Sequence, residues 1–423
     1  MSKSIKAVPG TKDILPDEIG GWYRIEELSR KIFNRYNFRE IRTPVFESTS
    51  LFSRGIGEET DIVSKEMYTF RDKGEDLLTL RPEMTAPVVR AFIEHSMFSQ
   101  SQITKLFYFA PMFRQERPQA GRLRQFHQFG AEILGSSSPY SDCEIILSAA
   151  GILKEIGLQD LTIKINSLGT SAARETYKEK LRHYLTGHLS SLSPESQKRF
   201  HTNILRIFDS KEEQDKKIMA GAPLLYEYLD EESRAEFNLV EEMLSSRGIS
   251  YQPDYQLVRG LDYYTKTTFE IVSGKVGSQS ALCGGGRYDN LVSDLGGPAV
   301  PGVGFAAGVE RILLAAKNEG IVFEDASRPA VYIANLQRDN AAGSFRVSEE
   351  LREEGFSVEM DILGRSMKAQ MREANKLEVS FVVILGGDES KEGNCTIKNM
   401  KNSSQEIIPQ NQIVTFISKN LHG

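Results

Sequence analysis

The stretch FRQERPQAGRLRQFHQFG, residues 113–130, contains four arginines and three phenylalanines. Its two ends are β-rich, and Pro118 and Gly121 lie between them, so we predict a long hairpin with a loop over residues 115–123. Strands joined this closely pair antiparallel, because parallel pairs need a long crossover. The arginines are suited to phosphate, because a guanidinium donates paired hydrogen bonds and stays charged, and Phe126 can stack on a base. A nucleotide pocket and a solvated hairpin tip remain equal alternatives on this stretch alone.

Length and composition indicate a globular protein of two or three domains. The chain has 423 residues, of which 40% are hydrophobic and 26% charged. Its formal charge of -6 excludes a generally basic, DNA-coating protein. No apolar run of 18 residues and no apolar N-terminal region occur, so we expect neither a membrane span nor a secretory signal, and a cytoplasmic location.

The cysteines and histidines give no sign of a metal or a protein nucleophile. Cys143, Cys283 and Cys395 are far apart and form no CxxC pair, so we expect neither disulfides nor zinc, but buried thiols. The six histidines have no HExxH spacing, and no GxSxG marks a serine nucleophile. We therefore predict no protein-ligated metal and no organic cofactor.

The chain pattern predicts an α+β fold. A helical pattern over residues 18–36 is followed by short β-rich runs, which indicate a mainly antiparallel sheet with flanking helices. A charged helical insertion covers about 171–250, and β-rich sequence then returns. A linker is predicted near 320–329.

A small α/β domain is predicted over residues 329–423, after the linker. Strand patterns alternate there with helical patterns at 339–355 and 366–378, which favours parallel strands. The segment has 11 Lys and Arg against 13 Asp and Glu, a net charge of -2, so charge alone does not indicate RNA binding.

Three further stretches favour the nucleotide pocket. RGLDYYTKTTFE (259–270) sets Arg259 and Asp262 before paired tyrosines, and CGGGRYDNL (283–291) is a glycine run that permits close approach of a ligand. PGVGFAAGVERILL (301–314) leads from glycines into an amphipathic helix. Each also has an ordinary structural explanation: turns, core packing, a solvated helix face, or an Arg259–Asp262 pair that holds the tyrosine strand.

One apparent motif is rejected. GVGFAA at 302–307 satisfies the GxGxx[GA] dinucleotide fingerprint. Pro298 and Pro301 precede it, however, where that fingerprint requires a buried strand, and the predicted sheet is not parallel. A Rossmann site is therefore not expected.

The motifs together resemble one family. FRQERPQAGRLRQF resembles motif 2 of class II aminoacyl-tRNA synthetases, and GVGFAAGVER resembles their motif 3. RGLDYYTKTTFE and GGGRYDNL are similar to the two signature motifs of histidyl-tRNA synthetases, and PGTKDILPDE is similar to that family's N-terminus. These motifs are spread over the whole chain and follow one another in the order found in the family. Thr265 and Ala307 are small departures from the family's motifs.

The resemblance implies a domain plan and an activity. Residues 1–325 would be a class II catalytic domain, 329–423 an anticodon-binding domain, and the 18–36 helix with IRTPVFE part of a homodimer interface. The protein would use ATP with Mg²⁺ to activate L-histidine as histidyl-adenylate, release pyrophosphate, and charge tRNA(His). The alternatives are the histidine-sensing regulatory subunit of ATP phosphoribosyltransferase and an RNA-binding protein without catalysis. The arginines at 114, 259 and 311 and the C-terminal domain favour the enzyme.

The resemblance also implies roles for individual residues. Arg259 and Arg114 would be catalytic and stabilise charge at the α-phosphate. ATP would be bound by Arg114, Glu116, Arg122, Phe126 and Arg311. Histidine would be bound by Glu83, Thr85, Arg114, Gln128, Glu132, Arg259, Tyr263, Tyr264 and Tyr288. An ammonium needs acceptors and an imidazole needs partners for its ring nitrogens, which these side chains can provide.

Overall fold

The computed structural model describes residues 4–58, 60–119, 121–279, 281–323, 328–336 and 341–421. These residues form two compact units, divided after Phe323. Part of the predicted linker, 324–327, lies outside the described residues. Within the described ranges, no helix combines the length and the apolar character needed to cross a membrane.

The first unit contains ten α-helices and eleven strands among its described residues. The helices are α1 (Pro16–Arg35), α2 (Thr49–Ile56), α3 (Thr85–Glu94), α4 (Pro139–Ile156), α5 (Ser171–Thr186), α6 (Pro194–Thr202), α7 (Glu213–Met219), α8 (Glu231–Ser246), α9 (Leu291–Asp294) and α10 (Val309–Asn318). The strands are β1 (Arg39–Glu40), β2 (Phe46–Ser48), β3 (Tyr68–Arg71), β4 (Leu77–Leu80), β5 (Thr104–Phe113), β6 (Gln125–Leu134), β7 (Leu161–Ser167), β8 (Tyr251–Pro253), β9 (Thr265–Ser273), β10 (Ala281–Arg287) and β11 (Gly302–Gly308).

An eight-stranded sheet, in the order β1-β5-β6-β11-β10-β9-β7-β8, is the centre of this unit. The six inner strands pair antiparallel, which confirms the predicted fold class. The two edge pairs, β1 with β5 and β7 with β8, are parallel and were not predicted. Long connections that include helices link the strands of each edge pair, as parallel pairing requires. The rejected dinucleotide motif lies on β11, an inner antiparallel strand.

The predicted hairpin is β5 and β6, and it separates the core from the site. Side chains alternate between the two faces of a strand. On β6, Phe129, Ala131 and Ile133 are buried in the core cluster that also holds residues of α1, α4 and α10. Gln128 and Glu132 lie at the intervening positions and belong to the opposite face. That face carries the candidate site.

The strands β2, β4 and β3 form a separate three-stranded antiparallel sheet, where we had expected one continuous sheet. In its β3–β4 hairpin turn, Asp72 Oδ1 accepts the backbone N–H groups of Gly74 and Asp76, at 2.8 and 2.9 Å. Phe46 and Phe70 are 52% and 43% exposed on this sheet. Their rings meet edge to face, with centroids 6.5 Å apart.

The helices α5 to α8 lie within the segment predicted as an insertion, between β7 and β8. Thr170 begins α5 and Asp230 begins α8 with side-chain caps on the first turn, as expected for residues that accept free N–H groups. The two caps also touch, because Thr170 Oγ1 donates to Asp230 Oδ2 at 2.9 Å.

The described residues of the second unit form a five-stranded sheet with three α-helices. Its elements are β12 (Val331–Asn335), α11 (Ala341–Glu353), β13 (Val358–Met360), α12 (Met367–Lys376), β14 (Phe381–Leu385), β15 (Asn394–Asn399), β16 (Gln405–Pro409) and α13 (Ile413–Leu421). The order is β13-β12-β14-β15-β16. The first three strands are parallel, as predicted, while β15 and β16 add antiparallel strands that we did not predict. Residues 339 and 340 of the first predicted helix lie outside the described residues.

Candidate active site

A cavity on the open face of the large sheet collects almost all of the predicted site residues. Those that line it are Glu83, Thr85, Arg114, Glu116, Arg122, Phe126, Gln128, Arg259, Tyr263, Tyr264 and Arg311. Glu132 and Tyr288 do not line it, and they are 0% and 1% exposed. The predicted residues therefore converge from distant parts of the chain, with two of them behind the cavity surface.

Arg114 is held at the start of the hairpin loop. Its Nε donates to the carbonyl of Pro82 at 2.8 Å, and its backbone N–H donates to Arg124 O at 2.9 Å. Its guanidinium carbon lies 5.3 Å from the centre of the Phe126 ring. A cation over a ring face is attracted to the ring. The Arg114 guanidinium and the Phe126 ring therefore hold each other in place, and the guanidinium lies in the cavity.

Arg311 crosses from α10 to the hairpin loop. Its Nε donates to Gly121 O and its Nη1 to Ala281 O, both at 3.0 Å. Burial lowers its pKa, and the nearby positive charges of Arg122 and Arg114 lower it further. Arginine remains charged despite such shifts. Three guanidinium groups near one another therefore make this end of the cavity a favourable place for an anion.

Arg259 is held by a carboxylate that the sequence did not single out. Its Nη1 forms a close ion pair with Glu270, and its guanidinium carbon lies 5.7 Å from the Tyr264 ring centre. The alternative partner considered from sequence, Asp262, instead accepts a hydrogen bond from Asn203 Nδ2 at 2.8 Å. An Arg259–Asp262 pair that holds the tyrosine strand is therefore wrong.

Two glycines make room for charged side chains. A Cβ at Gly284 would lie 2.5 Å from the Arg259 guanidinium nitrogens. A Cβ at Gly304 would lie 1.6 Å from Glu132 Oε2. Gly284, the first glycine of the run at 284–286, also lines the cavity, so close approach of a ligand there stays a prediction.

Glu83 and Thr85 are positioned by the start of α3. The carboxylate of Glu83 accepts the backbone N–H groups of Thr85 and Ala86 at 2.7 and 2.9 Å. Burial raises the pKa of Glu83. On β6, Oε1 of Gln128 is buried and has no hydrogen-bond partner within the described part of the chain. A buried acceptor without a partner is unusual, and it is available to a ligand N–H group.

Glu132 is a fully buried carboxyl with a raised pKa. Thr85 Oγ1 donates to its Oε1 at 2.8 Å, and Tyr288 Oη donates to its Oε2. Burial raises its pKa from 4.5 to about 8, although these two hydrogen bonds oppose the shift. Near neutral pH the group is therefore largely a neutral acid.

This shift predicts a pH dependence of stability. Between pH 4.5 and about 8 the folded protein keeps a proton on Glu132 that the unfolded chain has lost, so the free energy of unfolding falls as pH rises through this window. Glu132→Gln should remove this slope, which is at most about 1.4 kcal/mol per pH unit for one proton. Urea unfolding from pH 5 to 8 measures it, with the exposed Glu242→Gln as control. Parallel pH profiles for both variants would contradict the shift.

Glu310 was also missed by the sequence analysis. Its carboxylate accepts the backbone N–H of His127 at 2.9 Å and lies 3.1 Å from His127 Nδ1. It thereby ties the start of α10 to β6, next to Arg311. Glu270 and Glu310 both lie inside motifs that we had quoted, but only their spatial partners reveal their positions.

The described residues contain no cluster of three or more potential metal ligands. All three cysteines are buried, as expected. Burial raises the pKa of Cys143 and of Cys283 to about 12, so both are thiols at neutral pH.

Comparison with known proteins confirms the resemblance stated from the motifs. A family model described as histidyl-tRNA synthetase matches residues 10–312, and one described as anticodon binding domain matches 330–420. The histidine–tRNA ligase of Desulforamulus reducens is 47% identical over 408 residues, which cover 96% of this chain and 97% of that protein. That of Halothermothrix orenii is 47% identical over 410 residues, 97% of this chain and 98% of the relative.

A solved structure agrees with the sequence comparisons. The crystal structure of apo Staphylococcus aureus histidyl-tRNA synthetase is 36% identical, with a TM-score of 0.84 over 98% of this chain and all of that chain. The likeness therefore covers the whole fold and both units. The chain belongs to the histidyl-tRNA synthetase family.

Proposed function

We propose that this protein activates L-histidine with ATP to give histidyl-adenylate and pyrophosphate, and then transfers the histidyl group to tRNA(His) in the cytoplasm. The observation that carries the proposal is the convergence of Arg114, Arg259 and Arg311 on one cavity in a chain of this family. Near full-length relatives named histidine–tRNA ligase favour this function over that of the regulatory subunit of ATP phosphoribosyltransferase.

The reaction needs positioning and charge, but no protein nucleophile. A carboxylate oxygen of histidine attacks the α-phosphorus of ATP in line, and pyrophosphate departs. The terminal ribose hydroxyl of the tRNA then attacks the carboxyl carbon, and AMP leaves. Fixed cations stabilise the charge that develops on the phosphoryl oxygens.

The arginine end of the cavity is the proposed ATP subsite. Arg114 would contact the α-phosphate, and Arg311 would stack on adenine and reach the γ-phosphate. Phe126 and Glu116 would hold the adenine, and Arg122 would contact phosphate. Arg122 Nη1 and Glu116 Oε2 form an ion pair, 3.0 Å apart. This contact supports the placement of both side chains in the ATP subsite.

The other end is the proposed histidine subsite. Glu83, Thr85 and Gln128 would accept the α-ammonium, and the free acceptor of Gln128 supports this role. Glu132 and Tyr264 would bind the imidazole, with Tyr263 and Tyr288 beside them. Because Glu132 is 0% exposed, its contact requires that the cavity floor open when histidine enters.

Magnesium would bind together with ATP and compensate the negative charge of its phosphates. The cavity carboxylates nearest the arginines have protein partners: Glu270 pairs with Arg259 and Glu116 with Arg122. This donor set fits an ion held chiefly by phosphate oxygens rather than a resident metal.

Amino-acid-dependent exchange of pyrophosphate into ATP tests the proposed function. Each of the twenty amino acids is supplied in turn, and we expect exchange with histidine alone. Arg259→Ala is the control for contaminating synthetases. Exchange with another amino acid, or none with histidine, would refute the proposal.

Residues 329–423 are the proposed anticodon-binding module, supported by the family match over 330–420. A chain that ends at residue 323 should keep measurable histidine-dependent exchange, because the described cavity belongs to the first unit. Charging of tRNA should collapse in the same protein. Equal loss of both activities would contradict a separate recognition module.

A homodimer is the proposed assembly. The exposed rings of Phe46 and Phe70 contact each other on the three-stranded sheet, and Phe46 belongs to the IRTPVFE segment predicted to build the interface. Apolar surface of this kind is typical of protein contacts. Sedimentation equilibrium at micromolar concentration should give twice the chain mass of 47.5 kDa, and a species of 47.5 kDa alone would disprove the dimer.

A further inference from the structure

The N-terminal sequence VPGT, residues 8–11, forms a tight turn. The backbone N–H of Thr11 donates to the carbonyl of Val8 at 2.9 Å, and Thr11 Oγ1 donates to the same oxygen at 2.8 Å. Gly10 has a φ of +90° at the third position, where a type II turn requires a positive φ. Pro9 is at the second position, which favours proline. The turn overlaps the motif PGTKDILPDE, which the proposed function does not use.

Helix α1 keeps this turn in one place. Residues 12–15 join the turn to Pro16, the first residue of α1. Lys12 Nζ also pairs with Glu18 Oε1 at 2.7 Å, although both side chains are exposed and the pair adds little. The helix itself is fixed by its buried residues in the main core, among them Ile25 and Leu28. The short connection therefore keeps the turn beside the start of α1.

The turn contacts the end of the hairpin loop between β5 and β6. The carbonyl of Gly10 accepts the backbone N–H groups of Arg124 and Gln125, at 2.7 and 3.4 Å. Arg124 Nη1 also donates to the carbonyl of Pro9 at 3.2 Å. Gln125 is the first residue of β6. These hydrogen bonds therefore join the N-terminal turn to the point where the loop ends and the strand begins.

Arg124 connects the turn to the proposed ATP subsite. Its backbone carbonyl accepts the backbone N–H of Arg114 at 2.9 Å, and its Nε donates to the carbonyl of Glu116 at 3.4 Å. Phe126, two residues after Arg124, lies against the Arg114 guanidinium. Arg124 does not line the candidate active-site cavity, whereas these three neighbours do. Its contacts are thus those of a positioning residue.

We propose that the turn at residues 8–11 is a positioning element of the ATP subsite and acts through Arg124. The inference rests on the proposed function, in which the hairpin binds adenine and the α-phosphate. Residues 115 and 117–119 of the hairpin loop are exposed, so core packing does not fix them. The loop depends instead on ties such as the one to Gly10. Precise ties matter, because a shift of about 1 Å in a positioning group can lower a reaction rate about 10²-fold.

Position 10 suits glycine and no larger residue. A Cβ there would lie 2.8 and 2.9 Å from Cγ and Cδ of Arg124, and 3.0 Å from Cγ of Pro118. The positive φ also disfavours an L side chain. Gly10→Ala should therefore displace the turn from Arg124. Gly248→Ala is a matched control, because exposed Gly248 has a φ of +66° and nothing lies within 4 Å of a Cβ there.

The test measures the dissociation constants of ATP and of histidine by isothermal titration calorimetry, each ligand alone. Gly10→Ala should raise the Kd of ATP about tenfold or more, because the ATP-binding side chains lose their common alignment. The Kd of histidine should not change, and Gly248→Ala should leave both constants unchanged. Equal weakening of ATP and histidine binding in Gly10→Ala would indicate general damage and overturn the inference. Unchanged ATP binding would overturn it as well.

Two substitutions of Arg124 separate positioning from charge, and they test the inference even if Gly10→Ala does not fold. Arg124→Ala removes the contacts with the carbonyls of Pro9 and Glu116 and should raise the Kd of ATP about two- to tenfold. Arg124→Lys should bind ATP as weakly, because lysine keeps the charge and loses the planar fork. Wild-type ATP binding in Arg124→Lys would assign the effect to charge and overturn the positioning role. A wild type that binds ATP without histidine-dependent exchange would instead refute the proposed function.

Discussion

Arg259→Ala is expected to slow histidyl-adenylate formation by about 10²- to 10³-fold, the range for loss of one preorganised electrostatic group. The guanidinium is held in place by Glu270, Gly284 and the Tyr264 ring before any substrate binds. Histidine affinity should change much less, because an interaction made mainly in the transition state lowers kcat without a matching rise in KM. Single-turnover adenylate formation at saturating substrates measures the rate directly.

Two controls separate catalysis from structure at this position. Arg259→Lys should restore activity only in part, because lysine keeps the charge and loses the planar fork. Arg259→Ala/Glu270→Ala removes the carboxylate that the single change leaves without its partner. If that double variant recovers a normal rate, the defect of the single variant comes from Glu270 and not from lost phosphate stabilisation. A near-normal rate in Arg259→Ala alone would refute the catalytic role.

Arg287→Ala should lower the free energy of unfolding by about 3–5 kcal/mol, because it leaves a buried carboxylate without its cation. Arg287 and Asp142 are 2% and 1% exposed and form a close ion pair. Nη1 and Nη2 of Arg287 also donate to the carbonyls of Ser136 and Ser138, at 2.8 and 3.1 Å. The pair joins the end of β10 to the start of α4, so its loss affects the core of the first unit. Urea unfolding measures the change.

Two comparisons test this account of the buried pair. Lys216→Ala breaks the exposed pair with Glu213, whose side chains are 52% and 79% exposed, and it should change the free energy of unfolding far less than Arg287→Ala does. Arg287→Met/Asp142→Leu removes both buried charges and should recover much of the stability lost in Arg287→Ala. No recovery would mean that the carbonyl contacts of Arg287, and not its charge pairing, account for the loss.

The sequence predicted those parts of the fold and site that short motifs encode. The hairpin around Arg114 and Phe126 follows from alternating strands and a Pro and Gly loop, and Arg311 follows from the glycine-to-helix transition. The edge strand β8 was missed because three residues carry no periodicity. β15 and β16 were missed because they lie beyond the alternating pattern on which the prediction of the C-terminal domain relied.

Other features depend on register between strands, which a single sequence does not reveal. Glu270 lies opposite Gly284 across β9 and β10, and this pairing leaves space for the Arg259 guanidinium. The burial of Glu132 also depends on contacts between distant parts of the chain, which a single sequence does not reveal. Its position on β6 was predicted to face the site, but Thr85 and Tyr288 contact it from separate parts of the chain. Sequence motifs therefore predicted which residues meet, but not which of them are covered by protein.

The pairing of Glu132 with Gly304 has a consequence for how this chain can vary. The two residues are directly opposite on β6 and β11, and a methyl group at 304 would overlap the carboxylate at 132. A single mutation that enlarges residue 304 should therefore be selected against wherever glutamate is kept at 132. A shorter side chain at 132 would not release this constraint, because the same methyl group would lie 2.7 Å from the backbone oxygen of Ala131. Glycine is therefore expected to persist at 304 even where residue 132 varies, and a saturation library of both positions would show this as glycine at 304 among the survivors.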